Sequence, residues 1–154
     1  MEEKKMNELN ILTASEVMEL GIEFIEDVCY SGEYGQQVFN KPMEEGGTAI
    51  TGLLYEKRAN GALAYYSFYE NGIPHGVTVW FYQSGKVREH TNMERGTTTG
   101  RSISWFESGK VKSVTEKKYG FKVYGREWDE NGNSIEVKNG PTDFEKIMIT
   151  KYDS

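Results

Sequence analysis

Phe81-Tyr82-Gln83-Ser84-Gly85-Lys86-Val87 returns 24 residues later as Trp105-Phe106-Glu107-Ser108-Gly109-Lys110-Val111. The recurrence extends outward in both directions. Gly52, Gly76, Gly100 and Gly125 fall at spacings of 24, 24 and 25 residues. A second series, Gly61, Gly85, Gly109 and Gly132, runs beside it at 24, 24 and 23. A fixed period in this range marks a repeat architecture. Such architectures present extended surfaces more than enclosed pockets.

Within each unit an aromatic-rich strand leads to a tight turn at Asn60-Gly61, Ser84-Gly85, Ser108-Gly109 or Asn131-Gly132. Asn-Gly predicts a type I′ hairpin, because both central residues of that turn need φ > 0. A return strand then meets Asn71-Gly72, Arg95-Gly96 or Tyr119-Gly120 and enters the next unit. Two strands and two turns fill 24 residues at ordinary strand lengths. The expected fold is mainly β: one meandering antiparallel sheet of stacked hairpins, eight or more strands wide.

Strand side chains alternate between faces. Counted from the opening glycines, one set reads Leu53, Tyr55, Lys57, then Val77, Val79, Phe81, then Arg101, Ile103, Trp105. Leu63, Val87 and Val111 recur two residues after the turn glycines, and Ile135 follows Gly132 by three. These apolar positions are the expected core, with Phe81, Trp105, Val87 and Val111 foremost. The alternate set is mostly polar, apart from Trp80, Tyr82 and Phe106. Large rings at polar-face positions make a candidate partner-binding patch, unless the N-terminal region or the C-terminal tail covers them.

Upstream, Thr13-Ala14-Ser15-Glu16 has the form of a capping box and predicts a short helix over 14–20, ended by Gly21. Ile22, Phe24, Val28 and Tyr30 follow, with a turn at Ser31-Gly32, a strand at Tyr34–Phe39 and a loop over 42–47. Downstream of Ile135 and Val137, Asn139-Gly140-Pro141 interrupts the pattern. The tail around Ile147-Met148-Ile149 reads as a last strand or a frayed end. Residues 1–154 are expected to form a single domain: an acidic region over 1–50, repeats over 51–138 and the tail over 139–154.

The formal net charge is −6. Residues 1–50 carry 11 acidic and 3 basic side chains, and the remainder 13 and 15. The acidity belongs to the N-terminal third. Glu23, Glu26 and Asp27 there are a second candidate partner-binding group, able to steer a basic protein partner. An acidic chain without a basic footprint argues against nucleic acid, and the lack of a polybasic run argues against anionic membranes. No signal-peptide h-region and no apolar run long enough to span a bilayer is present, so a cytoplasmic location is expected.

The residue types that carry chemistry are sparse. Cys29 is the only cysteine, which excludes an internal disulfide and suits a reducing compartment. His75 and His90 stand 15 residues apart without metal-ligand spacing, and read as a turn residue and an exposed strand residue. Adjacent carboxylates such as Glu26-Asp27 and Glu44-Glu45 point apart on a strand, and no phosphate-binding loop occurs. The reading is a non-enzymatic chain with no cofactor and no metal.

Phe68-Tyr69-Glu70-Asn71-Gly72 and the two stretches quoted first, with Lys41-Pro42 and Thr48-Ala49-Ile50-Thr51-Gly52 ahead of them, resemble the MORN-repeat variant of the YwqK-type bacterial antitoxin and immunity family. The resemblance covers about 41–138. It implies stacked β-hairpins and a role as antitoxin or immunity protein against a toxin partner. It supplies no catalytic residue. Ala62 stands where the pattern has Lys, and Met93-Glu94-Arg95-Gly96-Thr97-Thr98-Thr99-Gly100 lacks the Pro-His form of Asn71-Gly72-Ile73-Pro74-His75-Gly76. The alternative is a structural MORN-like scaffold module, in one version at a membrane surface.

Overall fold

The computed structural model describes residues 9–25, 30–31 and 37–153. Glu26, Asp27, Val28, Cys29, Gly32, Glu33 and the first residues of the Tyr34–Phe39 stretch lie outside them. The elements in chain order are α1 (Ala14–Leu20), β1 (Ile22–Glu23), β2 (Tyr30–Ser31), β3 (Val38–Phe39), β4 (Gly52–Lys57), β5 (Leu63–Glu70), β6 (Ile73–Phe81), β7 (Val87–Glu94), β8 (Thr97–Trp105), β9 (Val111–Lys118), β10 (Phe121–Trp128), β11 (Ser134–Lys138) and α2 (Asp143–Asp153). One nine-stranded sheet runs β1-β4-β5-β6-β7-β8-β9-β10-β11, and β2 pairs with β3 separately. From β4 onward each strand pairs antiparallel with its neighbour in sequence, as expected of stacked hairpins. β1 joins parallel to β4, a pairing the hairpin pattern does not contain.

The two turn series have different geometries. Asn71, Arg95 and Tyr119 have φ of 51°, 50° and 52°, and the glycines after them 77°, 82° and 82°. Two successive positive values make these the type I′ turns. At Asn60-Gly61 only the glycine is left-handed, with φ 88°. There the Gly61 N–H donates to Arg58 O, the Arg58 N–H donates to Ala62 O, and the register shifts at Glu56/Lys57. That is the longer hairpin loop closed by a bulge glycine. The expectation of a type I′ turn at Asn60-Gly61 is thus corrected. A three-residue loop needs one left-handed position, which glycine supplies whatever precedes it. Gly76 and Gly100 are equivalent to each other, but they lie inside β6 and β8, next to register irregularities.

α1 forms over 14–20 with its capping box complete: Thr13 Oγ1 accepts from the Glu16 N–H and Glu16 Oε1 from the Thr13 N–H. The same bonds hold the Glu16 carboxyl below its ordinary pKa. Gly21 is extended, so its need is spatial. A Cβ there would meet Val17 O at 2.8 Å and the Tyr55 ring at 2.9 Å.

The main core lies on one face, here the inner face. Tyr55, Tyr66, Val79, His90, Ile103 and Val114 are cross-strand partners in one row over six strands. All six are buried. Val17 of α1 is fully buried against Tyr55, Tyr66, Val79 and Phe81, with Ile11, Leu12 and Met18 beside it. Leu9 packs on the Ile103, Trp105 and Val114 cluster. The row then continues to Arg126 and Val137, which are exposed. The position after each hairpin loop shows the same gradient: Leu63 is 5% exposed, Val87 and Val111 are half-buried, and the last unit has Ser134 there, opposite Trp128, with Ile135 next to it 61% exposed. The first three units repeat the apolar position, but the N-terminal segment covers only part of the sheet. Phe81 and Trp105 are core as expected, whereas Val87 and Val111 are half-buried at its margin.

Three sequence expectations fail here. His90 is 5% exposed on the inner face, between Val79 and Ile103, and not an exposed strand residue. His75 lies within β6, where its Nδ1 accepts from the Arg95 N–H of the next turn. The tail is neither strand nor frayed end: residues 143–153 are helix α2. Thr142 and Glu145 form a second capping box at its start, and Lys138 Nζ donates to Glu145 Oε1 at 2.7 Å. At the far end Asp153 accepts from Lys118 Nζ at 3.1 Å and from the Tyr119 hydroxyl. A helix rises about 1.5 Å per residue, so Glu145 to Asp153 spans about 12 Å. That is long enough to reach across two strand spacings of about 4.8 Å each, from β11 to β9.

Candidate partner-binding surface

On the outer face the register builds two rows. The first comprises Leu54, Ser67, Thr78, Thr91, Ser102 and Thr115. By alternation Leu54 falls on the polar face, yet it is fully buried. It forms a small core with Ile50, against which Phe24, Val38 and Tyr69 pack. Phe24 and Val38 of the N-terminal region therefore cover the outer face around Leu54 and Tyr69. Beyond that cover the row is hydroxylic. Ser67 and Thr78 hydrogen-bond side chain to side chain, as do Thr91 and Ser102. All four are buried, so each polar group has the partner that burial demands.

The second row is Glu56, Tyr65, Trp80, Glu89, Ser104, Ser113, Glu127 and Glu136. Tyr65 and Trp80 are direct partners whose rings stack with centroids 4.5 Å apart. The Arg88 guanidinium lies 5.4 Å from the Trp80 ring centre. Trp80 thus sits half-buried between an aromatic and a cation, with Glu89 as its cross-strand partner on β7. Aromatic and arginine side chains so placed are the common anchors of protein interfaces.

The other expected site residues are distributed. Tyr82, just past the end of β6, donates its hydroxyl to Trp105 O at 2.6 Å. Arg58, one unit earlier, donates Nη2 to Phe81 O at 2.8 Å in the same way. Tyr82 therefore ties one unit to the next. Phe106 lies under Lys112, whose Nζ is 5.8 Å from the ring centre. Glu23, in β1, pairs with Lys57 Nζ at 3.4 Å. Glu26 and Asp27 lie outside the described residues. Tyr65, Arg88 and Glu89 were not singled out from sequence. They occupy return strands, where alignment of the opening strands gives no offset. The signal that would find them is cross-strand register.

The displaced pKa values belong to structural contacts. Asp129 is held low by the backbone N–H groups of Asn133 and Asn131 in the last hairpin loop. Lys138 and Thr142 hold Glu145 low, and Tyr119 and Lys118 hold Asp153 low. Burial raises the Tyr66 phenol, whose oxygen accepts from the Leu12 N–H at 3.0 Å. Among the described residues no group of three His, Cys, Asp or Glu side chains is placed to hold a metal ion. No described helix is long and apolar enough to cross a membrane.

No family model matches this chain, and neither does any solved structure. Over 60 residues, 39% of its length, the chain is 37% identical to the immunity protein YwqK of Bacillus subtilis (strain 168), of which the match covers 38%.

Proposed function

We propose that this chain is an immunity protein that neutralises a toxin by binding it directly, with no chemistry of its own. The carrying observation is the 37% identity to an immunity protein. The 24-residue hairpin period supports a MORN-like repeat as the scaffold. On this reading the chain acts in the cytoplasm as one domain, where Cys29 stays reduced. The surface offered to the partner is the outer face from Tyr65 of β5 onward, centred on Trp80 with Arg88 and Glu89.

The test is co-expression with the product of a toxin-like reading frame beside the gene. Wild type should restore growth, and purified complex should form. Trp80→Ala should weaken binding by about 30-fold or more, as expected for an anchor whose removal costs about 2 kcal/mol. A basic toxin would instead be steered by the acidic N-terminal third. In that case neutralising Glu23, Glu26 and Asp27 should slow association, most strongly at low salt. No growth rescue and no complex with any such product would overturn the immunity reading.

A further inference from the structure

The two ends of the sheet are unlike. β1 is a two-residue strand whose Glu23 is tied down by Lys57. β11 is a five-residue strand with no further strand on its outer side among the described residues. Ser134, Ile135, Glu136 and Val137 are all exposed, so α2 does not cover this edge. An open edge presents unpaired N–H and C=O groups to any strand that can match it. Here it also presents apolar side chains, with Ile135 61% and Val137 49% exposed.

We infer that β11 pairs with β11 of a second copy, antiparallel about a two-fold axis, to continue the sheet across a homodimer. The charge pattern favours this occupant because it is complementary to itself in one register. Directly opposed residues of an antiparallel pair share a face. A two-fold axis normal to the sheet therefore allows only registers that pair like-facing residues. Centred on Glu136, the pair would oppose Glu136 to its own copy, which is repulsive. Centred on Val137, it opposes Glu136 to Lys138 of the second copy and Lys138 to its Glu136. The two Val137 side chains then meet on the inner face, where the apolar row ends. Two opposite-charge contacts and one apolar contact arise together from a five-residue strand. Such a small interface gives a weak dimer, with Kd on the order of 10–100 μM.

The experiment is sedimentation equilibrium of the full chain alone from about 1 to 500 μM at low salt, so it stands or falls separately from toxin binding. Wild type should show a reversible monomer–dimer equilibrium. K138E turns both cross-strand contacts repulsive and should weaken association about tenfold or more. E136K should do the same, and the double swap E136K/K138E should restore it. Within the chain Lys138 holds Glu145 and Glu136 pairs with Lys122 at 3.7 Å, so Glu145→Gln and Lys122→Gln, which remove those contacts and leave the edge intact, should not change the dimer. Val137→Lys, on an exposed position, should abolish association without unfolding the chain. A monomer throughout the range would overturn the inference. So would a dimer indifferent to K138E and Val137→Lys, or a double swap that fails to restore association.

Discussion

Tyr66→Phe removes one oxygen from the middle of the protein and tests what holds the N-terminal segment on the sheet. The Tyr66 ring is 1% exposed and touches Phe68 edge-on and Phe81 at a tilt, with centroids 6.3 and 6.0 Å away. Phenylalanine keeps those contacts. What it loses is the acceptor for the Leu12 N–H, 3.0 Å from the hydroxyl. A typical internal hydrogen bond contributes about 1 kcal/mol net, and a stranded buried donor costs about 1–3. The Leu12 amide is only part-buried, so water can reach it in part, and the expected loss is about 1–2 kcal/mol. In a chain of this length that lowers Tm by roughly 2–8 °C. The effect should be local. Amide exchange at residues 9–21 should speed up far more than exchange in β6 to β9. Val17→Ala, which thins the other attachment of the same segment, should cost roughly 2–3 kcal/mol. The double variant should fall short of additivity, because a segment already detached has little left to lose. An unchanged Tm with unchanged exchange over 9–21 would refute the claim that this hydroxyl anchors the segment. Additive losses would show that the two contacts do not hold one unit.

Trp105→Ala should cost about 3–5 kcal/mol in chemical denaturation, since the ring is 2% exposed beside Ile103 and Val114. Gly72→Ala and Gly85→Ala both force a left-handed alanine, worth about 1–2 kcal/mol. At Gly85 the space is open, whereas at Gly72 a Cβ would meet Val38 O at 2.8 Å. Gly72→Ala should therefore be clearly the more damaging of the two by thermal melts. Glu145 and Asp153 have lowered folded-state pKa values, so the stability they contribute is present above the ordinary carboxylate range. It is lost as pH falls through that range, and α2 should undock in acid before the sheet melts, read as exchange at 143–153 against β6 to β9. The raised Tyr66 phenol has the opposite sign, with its contribution intact below about pH 10 and lost above it. Tyr66→Phe should flatten the alkaline limb of the stability curve.

Much of the fold was legible in the chain because its signals are local and repeated. The capping box at Thr13 and Glu16 is a four-residue pattern, and it forms at the expected place. Alternation within one strand placed Phe81 and Trp105 in the core. The C-terminal helix was missed because Ile147-Met148-Ile149 is a short apolar run, which either element can carry. The Thr142–Glu145 box that starts the helix was there to be read. His90 was misjudged for a different reason. It is polar, yet register sets it between Val79 and Ile103, where position outweighs residue type.

What the sequence determined by itself is therefore the repeating hairpin: its period, its turn glycines and the face that is apolar. Those properties depend on neighbours along the chain, through φ preferences and side-chain alternation. Only the tertiary structure decided which parts of each face are covered, which pairs Trp80 with Tyr65, and that β1 adds in parallel to β4. Equivalent residues in successive units carry nearly the same local signal. Their burial differs because residues 9–21 lie over the inner face toward β4, and Phe24 and Val38 over the outer face near Leu54, while β11 is left open.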